Sequence, residues 1–225
     1  MVRVMAIVEG QTEESFIDKV LGPAFNGRGV FLSPRLIGKP GHRGGIGDYQ
    51  RGRTDILNTL KQDPAAYCTT MFDYYAMPDS WPGVSAARGK AVVEIPKIIE
   101  QAILDDISAD LGHAFNPARF IPYVQMHEYE GLLFSEPRTL AEVIEPQSSR
   151  LAAAFRGIRN KFPSPEDIDD GPTTAPSKRI RHHSPSYEKV FHGTIAATRI
   201  GLATMRAECP HFNEWLTRLE SLQRS

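Results

Sequence analysis

Cysteine is nearly missing from this 225-residue chain. Cys68 and Cys209 are too few for a disulfide framework or a zinc-binding cluster. Both are expected as free thiols, Cys68 inside a strand and Cys209 at a helix end. An excess of one charge is missing as well. With 26 Lys and Arg against 27 Asp and Glu, the formal net charge of −1 draws no polyanion by bulk attraction. Any nucleic-acid surface must then be a local patch. No apolar run approaches the length of a membrane span, and the N-terminus lacks the long apolar core of a signal peptide. The expectation is a cytoplasmic protein with no membrane partner. Internal repeats, a low-complexity tail and a Walker loop are also missing. What is present suits a folded globular chain: 41% hydrophobic and 24% charged residues, with length for one large α/β domain or a domain with an appendage.

The most informative stretch is Met1 to Phe16, MVRVMAIVEGQTEESF. Val2, Val4, Ala6, Ile7 and Val8 make a short apolar, β-rich run, the pattern of a buried strand. It ends at Glu9-Gly10, a carboxylate before the residue that turns at no steric cost. Thr12 stands where a helix N-cap belongs, with Glu13 and Glu14 in the first turn, where carboxylates suit the helix dipole. Strand, acidic turn and helix place Glu9 at the carboxyl end of a strand, where open α/β sheets bind ligands. The plainer alternative is a solvated turn residue.

Val30 to Ile37 reads as a second strand, and Pro34 assigns it to an edge or a bulge. Residues 38–47, GKPGHRGGIG, are either a plain loop or a phosphate cradle of backbone N–H groups beside Lys39, His42 and Arg43. A helix over Tyr49 to Lys61 leads to a strand over Ala65 to Met71, whose apolar run closes on Asp73 in TTMFDYYAMPDSWPG. In a parallel sheet two such strand ends share one edge, so Glu9 and Asp73 can converge. A long helix is expected over Gly89 to Ser108, with Val92, Val93, Ile98, Ile99, Ala102 and Ile103 on its buried stripe.

A third acidic stretch is RFIPYVQMHEYEGLLFSEP, Arg119 to Pro137. If its strand continues, Glu128 and Glu130 share a face, because side chains alternate along a strand. A zinc-protease pattern fails here, since Gly131 stands where the second histidine would be. Beyond Glu136 come short helices at Thr139 to Ile144 and Leu151 to Phe162, then a proline-punctuated segment. Asp167, Asp169 and Asp170 lack calcium-loop spacing and read as an acidic turn. Lys178, Arg179, Arg181, His182, His183 and Lys189 form the densest basic cluster, read as solvated surface or as a patch that holds phosphates. Helices over Tyr187 to Met205 and Pro210 to Leu222 close the chain, the last packing through Phe212, Trp215, Leu216 and Leu219.

Three acidic sites, each at a strand end, suit divalent-metal phosphoryl chemistry, because magnesium takes oxygen ligands and completes its shell with water and phosphate. The arrangement resembles the Toprim fold of topoisomerases, primases, recombination proteins and the overcoming-lysogenization-defect (OLD) nucleases. More closely, VEGQTEESF, FDYYAMPDSWPG, VQMHEYEGLLFS and SPEDIDDGPTTAPSKRI, followed by YEKVFHG and CPHFNEWL, resemble a bacterial domain-of-unknown-function family, DUF4276, placed near those nucleases. The resemblance spans nearly the whole chain.

It implies an α/β fold, a Toprim-like and mostly parallel sheet flanked by helices. Residues 1–135 would form the core, and 136–225 a mainly helical C-terminal extension packed on it. It implies a metal-dependent nuclease or related phosphoryl-transfer enzyme, in genome defence or repair. Glu9 would be a general acid/base or metal ligand, Asp73, Glu128 and Glu130 would complete a Mg2+ or Mn2+ site, and Glu13 is a further candidate. Lys178, Arg179 and Arg181 would hold the phosphates of a nucleic acid, DNA ahead of RNA, on a segment 177–183 folded back to the Glu9–Asp73 edge. One departure matters: Tyr74-Tyr75 follows Asp73, so the second aspartate of the Toprim Asp-x-Asp is absent and Glu128 or Glu130 would have to replace it. The alternative is a non-catalytic Toprim-like subunit that binds nucleic acid or serves a separate ABC-type ATPase.

Overall fold

The computed structural model describes residues 1–38, 47–169, 171 and 173–222. The glycine-rich stretch read as cradle or loop falls largely on 39–46, outside the described residues, as does Asp170 of the acidic turn. Strands β1 (Val2–Val8), β2 (Val30–Leu36), β3 (Tyr67–Asp73), β4 (Phe120–Ile121) and β5 (Val124–Gln125) form one sheet in the order β2-β1-β3-β4, with β5 also on β3. All the described pairings are parallel. This is a parallel sheet flanked by helices. Pro34 sits on the edge strand β2, where its missing N–H costs no ladder bond.

Helices α1 (Gln11–Phe16) and α2 (Gly22–Asn26) run together through a π turn at Ile17–Leu21, in which the Gly22 N–H donates to the Ile17 carbonyl five residues back. Pro23 accounts for the widening, because its ring clashes with the carbonyl a normal turn would place beneath it. Next come α3 (Tyr49–Gln62), α4 (Val84–Ala87) and α5 (Ile95–Leu111). The helix expected over Gly89 to Ser108 thus starts later. Pro96 occupies its first turn, where no N–H is needed, and Val93 lies outside it at 62% exposure. The remaining helices are α6 (Glu130–Leu133), α7 (Pro137–Ile144), α8 (Ser149–Arg159), α9 (Pro176–His183), α10 (Lys189–Ile200), α11 (Leu202–Glu208) and α12 (Pro210–Ser221). A single helix over Tyr187 to Met205 is not formed, because Gly201 at φ +78° separates α10 from α11.

Side-chain alternation divides the core between the two faces of the sheet. Val4, Ala6 and Val8 pack with Phe16, Phe155, Phe212 and Trp215 on one face. Ile7, Cys68 and Phe72 pack with Ile56, Trp81 and Ile99 on the other. The helices after residue 136 therefore share a core with β1 and the first helix. Pro122 interrupts the last strand between β4 and β5, and two threonine hydroxyls bridge the gap. Thr70 Oγ1 accepts from the Tyr123 N–H at 2.8 Å and donates to the Tyr123 carbonyl at 2.9 Å, while Thr69 Oγ1 donates to the Ile121 carbonyl. Both cysteines are buried free thiols. Among the described residues no helix is long and apolar enough to cross a membrane.

Candidate active site: carboxylates at the carboxyl edge of the sheet

The register between β1 and β3 fixes the site. Val8 lies opposite Met71, so Glu9 and Asp73 leave their neighbouring strands at the same edge. Gly10, not Thr12, caps α1; Thr12 is buried inside its first turn. The reason is Glu13, whose Oε2 accepts the Gly10 N–H at 2.9 Å. A Cβ at residue 10 would lie 3.1 Å from that oxygen, so glycine lets the carboxylate reach back. One helical turn after Glu9, Glu13 thus returns to the same edge.

Asp73, the last residue of β3, is partly buried, and its Oδ1 accepts the Tyr129 N–H at 3.0 Å. The strand expected to carry Glu128 and Glu130 stops at Gln125. His127 turns the chain with φ +59°, and Glu130 opens α6. The two glutamates therefore come from a turn and a helix start, and do not share a strand face. Both are nonetheless buried, at 5% and 1% exposure. Glu128 is clamped by Ser177, whose N–H donates to Oε2 at 2.8 Å and whose hydroxyl donates to Oε1 at 2.9 Å. Lys189, the first residue of α10, pairs with Glu128 at 3.4 Å and with Glu130 at 3.2 Å.

Electrostatics tie these groups into one cluster. Burial first, and then the charges of Glu13, Glu9, Glu130 and Glu128, push the Asp73 carboxyl well above the usual carboxylate range. Burial raises Glu13 to about 7, with Glu9 adding to the rise and Lys189 opposing it. Glu130 also rises to about 7 through burial, against the pull of Lys189. For Lys189 burial works downward, but Glu130, Glu128 and Asp73 outweigh it and the ammonium stays charged. Lys189 offsets part of this crowding, yet Glu13, Asp73 and Glu130 all stay raised.

The family model described as a domain of unknown function, DUF4276, matches residues 8–220. This chain belongs to the DUF4276 family. Among solved structures, the C-terminal region of the Burkholderia pseudomallei OLD protein is similar with a TM-score of 0.50 at 16% identity, covering 99% of each chain. The C-terminal region of the Xanthomonas campestris pv. campestris OLD protein gives a TM-score of 0.48 at 13% identity over 100% of this chain and 97% of that one. Such identities speak to the fold alone. A comparison with curated proteins gives no match.

In this DUF4276 chain the donors at the edge are all carboxylate oxygens, the set that hard divalent cations take. Among the described residues no three acidic, histidine or cysteine side chains are already drawn together into a metal cage. Magnesium does not require one, since it is held by one or two carboxylates with water and substrate phosphate. The sequence-predicted basic residues divide. Ser177 brings the start of α9 onto Glu128, and Lys178 and Arg181 are exposed on that helix. Arg179 is committed to its own loop, bonded to the Thr174 carbonyl and to Asp169 and lying over the Phe162 ring at 5.4 Å. Lys189, counted only as part of a basic run in the sequence, pairs with two of the site's glutamates. Its sole sequence signal was membership of that run.

Proposed function

We propose that this protein is a Mg2+- or Mn2+-dependent nuclease, or a related phosphoryl-transfer enzyme acting on nucleic acid, DNA ahead of RNA, in the cytoplasm. The observation that carries the reading is Asp73, which ends its strand beside Glu9 and is raised first by burial and then by four neighbouring carboxylates. Groups that repel one another in this way are retained where a cation or a proton is handled. Asp73 and Glu9 would hold the divalent ion, with Glu128 as a further ligand in place of the missing second aspartate. When bound, the ion would activate water and neutralise charge on the phosphoryl group.

The chain's own groups supply the rest. Ser177 fixes the Glu128 carboxylate in one orientation. Lys189 places an ammonium next to Glu130 at the mouth of the cluster, where it can meet a phosphate oxygen. Glu13, anchored through Oε2 and raised to about 7, can take up or release a proton at Oε1 near neutral pH. Lys178 and Arg181 would steady the flanking phosphates. A role in genome defence or repair beside a separate ABC-type ATPase is part of the same proposal.

The second reading is a non-catalytic subunit that binds nucleic acid or serves the ATPase. It is favoured by Lys189, which already bridges Glu128 and Glu130 much as a metal would. A cleavage assay on single- and double-stranded DNA and RNA with Mg2+ or Mn2+ decides between them. Cleavage lost in Asp73→Asn and Glu9→Gln supports the enzyme; binding without cleavage at every metal tried supports the subunit.

A further inference from the structure

Resting on that reading, we propose that the rim of the acidic site is a stacking platform for unpaired bases. Single-stranded nucleic acid, or a frayed strand end, would then be the preferred substrate.

Exposed large hydrophobic side chains are few among the described residues: Met1, Phe31, Tyr75, Val93, Val190 and Phe191. Three of these six stand within two residues of a site group, Tyr75 after Asp73 and Val190 and Phe191 after Lys189. Surface apolar residues scattered singly need no explanation, so the tie of Tyr75 and Phe191 to the site rests on their own contacts. Tyr75 is tied to the site by its backbone, its N–H donating to the His127 carbonyl at 2.8 Å, next to Glu128.

A row of rings leads outward from the other glutamate. Tyr187 is buried where the charges of Glu130 and Glu128 reach its hydroxyl. Its ring stacks on His192 at 6.0 Å, and His192 meets Phe191 edge-on at 5.1 Å. His192 is fixed there because its Nδ1 accepts the Glu188 N–H at 2.9 Å. Phe191, 58% exposed, is therefore the solvent end of a supported aromatic row that starts at the carboxylates.

Charge complements this apolar rim. Lys178 and Arg181 are exposed on α9, whose first turn touches Glu128, and the Arg181 charge also reaches Tyr187. Cations for phosphates beside open ring faces for bases are the two parts of a single-strand binding surface. Duplex bases are already stacked on each other and could not use the rings.

The test uses the full chain in calcium buffer, titrating a fluorescent single-stranded oligonucleotide and the matching duplex across salt. Phe191→Ala is expected to weaken single-strand binding about tenfold and to leave duplex binding within about twofold. Its salt slope should match the unmutated protein, whereas Lys178→Ala with Arg181→Ala should flatten the slope. Phe191→Tyr should restore binding, and Tyr75→Ala should reproduce the loss. Because Phe191 is exposed, its melting temperature should not change. Single-strand binding untouched by Phe191→Ala and Tyr75→Ala, or weakened equally for duplex, overturns the stacking platform and leaves the phosphoryl-transfer reading standing. If the unmutated protein neither binds nor cleaves any nucleic acid, the functional reading fails and the platform falls with it.

Discussion

Two sets of buried carboxylates lie on this molecule, and they are solvated by the protein in opposite ways. Glu166 accepts the N–H groups of His211 and Phe212 at 3.0 and 2.9 Å, satisfying the start of α12. Glu100 accepts the Val124 N–H at 2.8 Å and pairs with His211 Nε2 at 2.8 Å. Glu166 has a donor on each oxygen and Glu100 has two partners on Oε1, and the result is architecture. At the sheet edge Asp73 has the Tyr129 N–H and Glu13 the Gly10 N–H, while each faces the charges of its acidic neighbours. Burial alone therefore does not mark a site. What marks it is burial with like charges for neighbours, an arrangement that weakens the fold unless something else binds.

The largest effect that could break this contrast is catalytic. Asp73→Asn or Glu9→Gln should lower metal-dependent cleavage by about a thousandfold or more, and Glu166→Gln should leave it near the unmutated rate, measured on labelled oligonucleotides. If all three variants behaved alike, the two carboxylate sets would not differ in kind.

Stability should move in opposite directions at the two sites. Glu166→Ala strips two buried N–H groups of their acceptor and should cost about 2–3 kcal/mol in urea unfolding. Asp73→Asn keeps an oxygen for the Tyr129 N–H and removes an acid whose ionisation burial and its acidic neighbours oppose. It should stabilise the metal-free protein at pH 8 by about 1 kcal/mol.

The pH dependence sharpens the same point. Glu13 and Glu130 titrate near 7 in the folded chain and near the ordinary 4.5 when unfolded. Between those values the folded chain holds more protons than the unfolded one, so stability must fall as pH rises from 4.5 through 7. The melting temperature in EDTA should drop by a few degrees over that window. Manganese should restore it at pH 8 far more than at pH 5, because it binds the deprotonated acids. A melting temperature that climbs steadily to pH 8 without metal would contradict the crowded-acid picture.

The smallest effect concerns the start of the first helix. A threonine cap typically contributes about 1 kcal/mol, but Gly10 is the cap here and Glu13 satisfies its N–H. Thr12→Ala should therefore cost less than about 0.5 kcal/mol, and a full loss would return the cap to Thr12.

The sequence by itself determined the elements whose signal is local. The β1 run, the glycine turn after Glu9, the second strand with its edge proline and the last packing helix are all legible, since each needs only periodicity or a single residue's backbone preference. It also indicated that Glu9 and Asp73 end strands, and parallel pairing then places them at one edge. Three features were decided only by the tertiary structure. Glu128 and Glu130 reach the site through a left-handed turn at His127, although their alternation reads as strand. Lys189 looks like one more residue of a basic run until α10 packs against α1 and α6 and delivers it between two glutamates. Arg179, equally basic in sequence, is spent on Asp169 and Phe162. The physical reason is common to all three. A side chain's charge is written in the sequence, but its partners, and hence its protonation and its use, depend on which distant segments share its small volume of low dielectric.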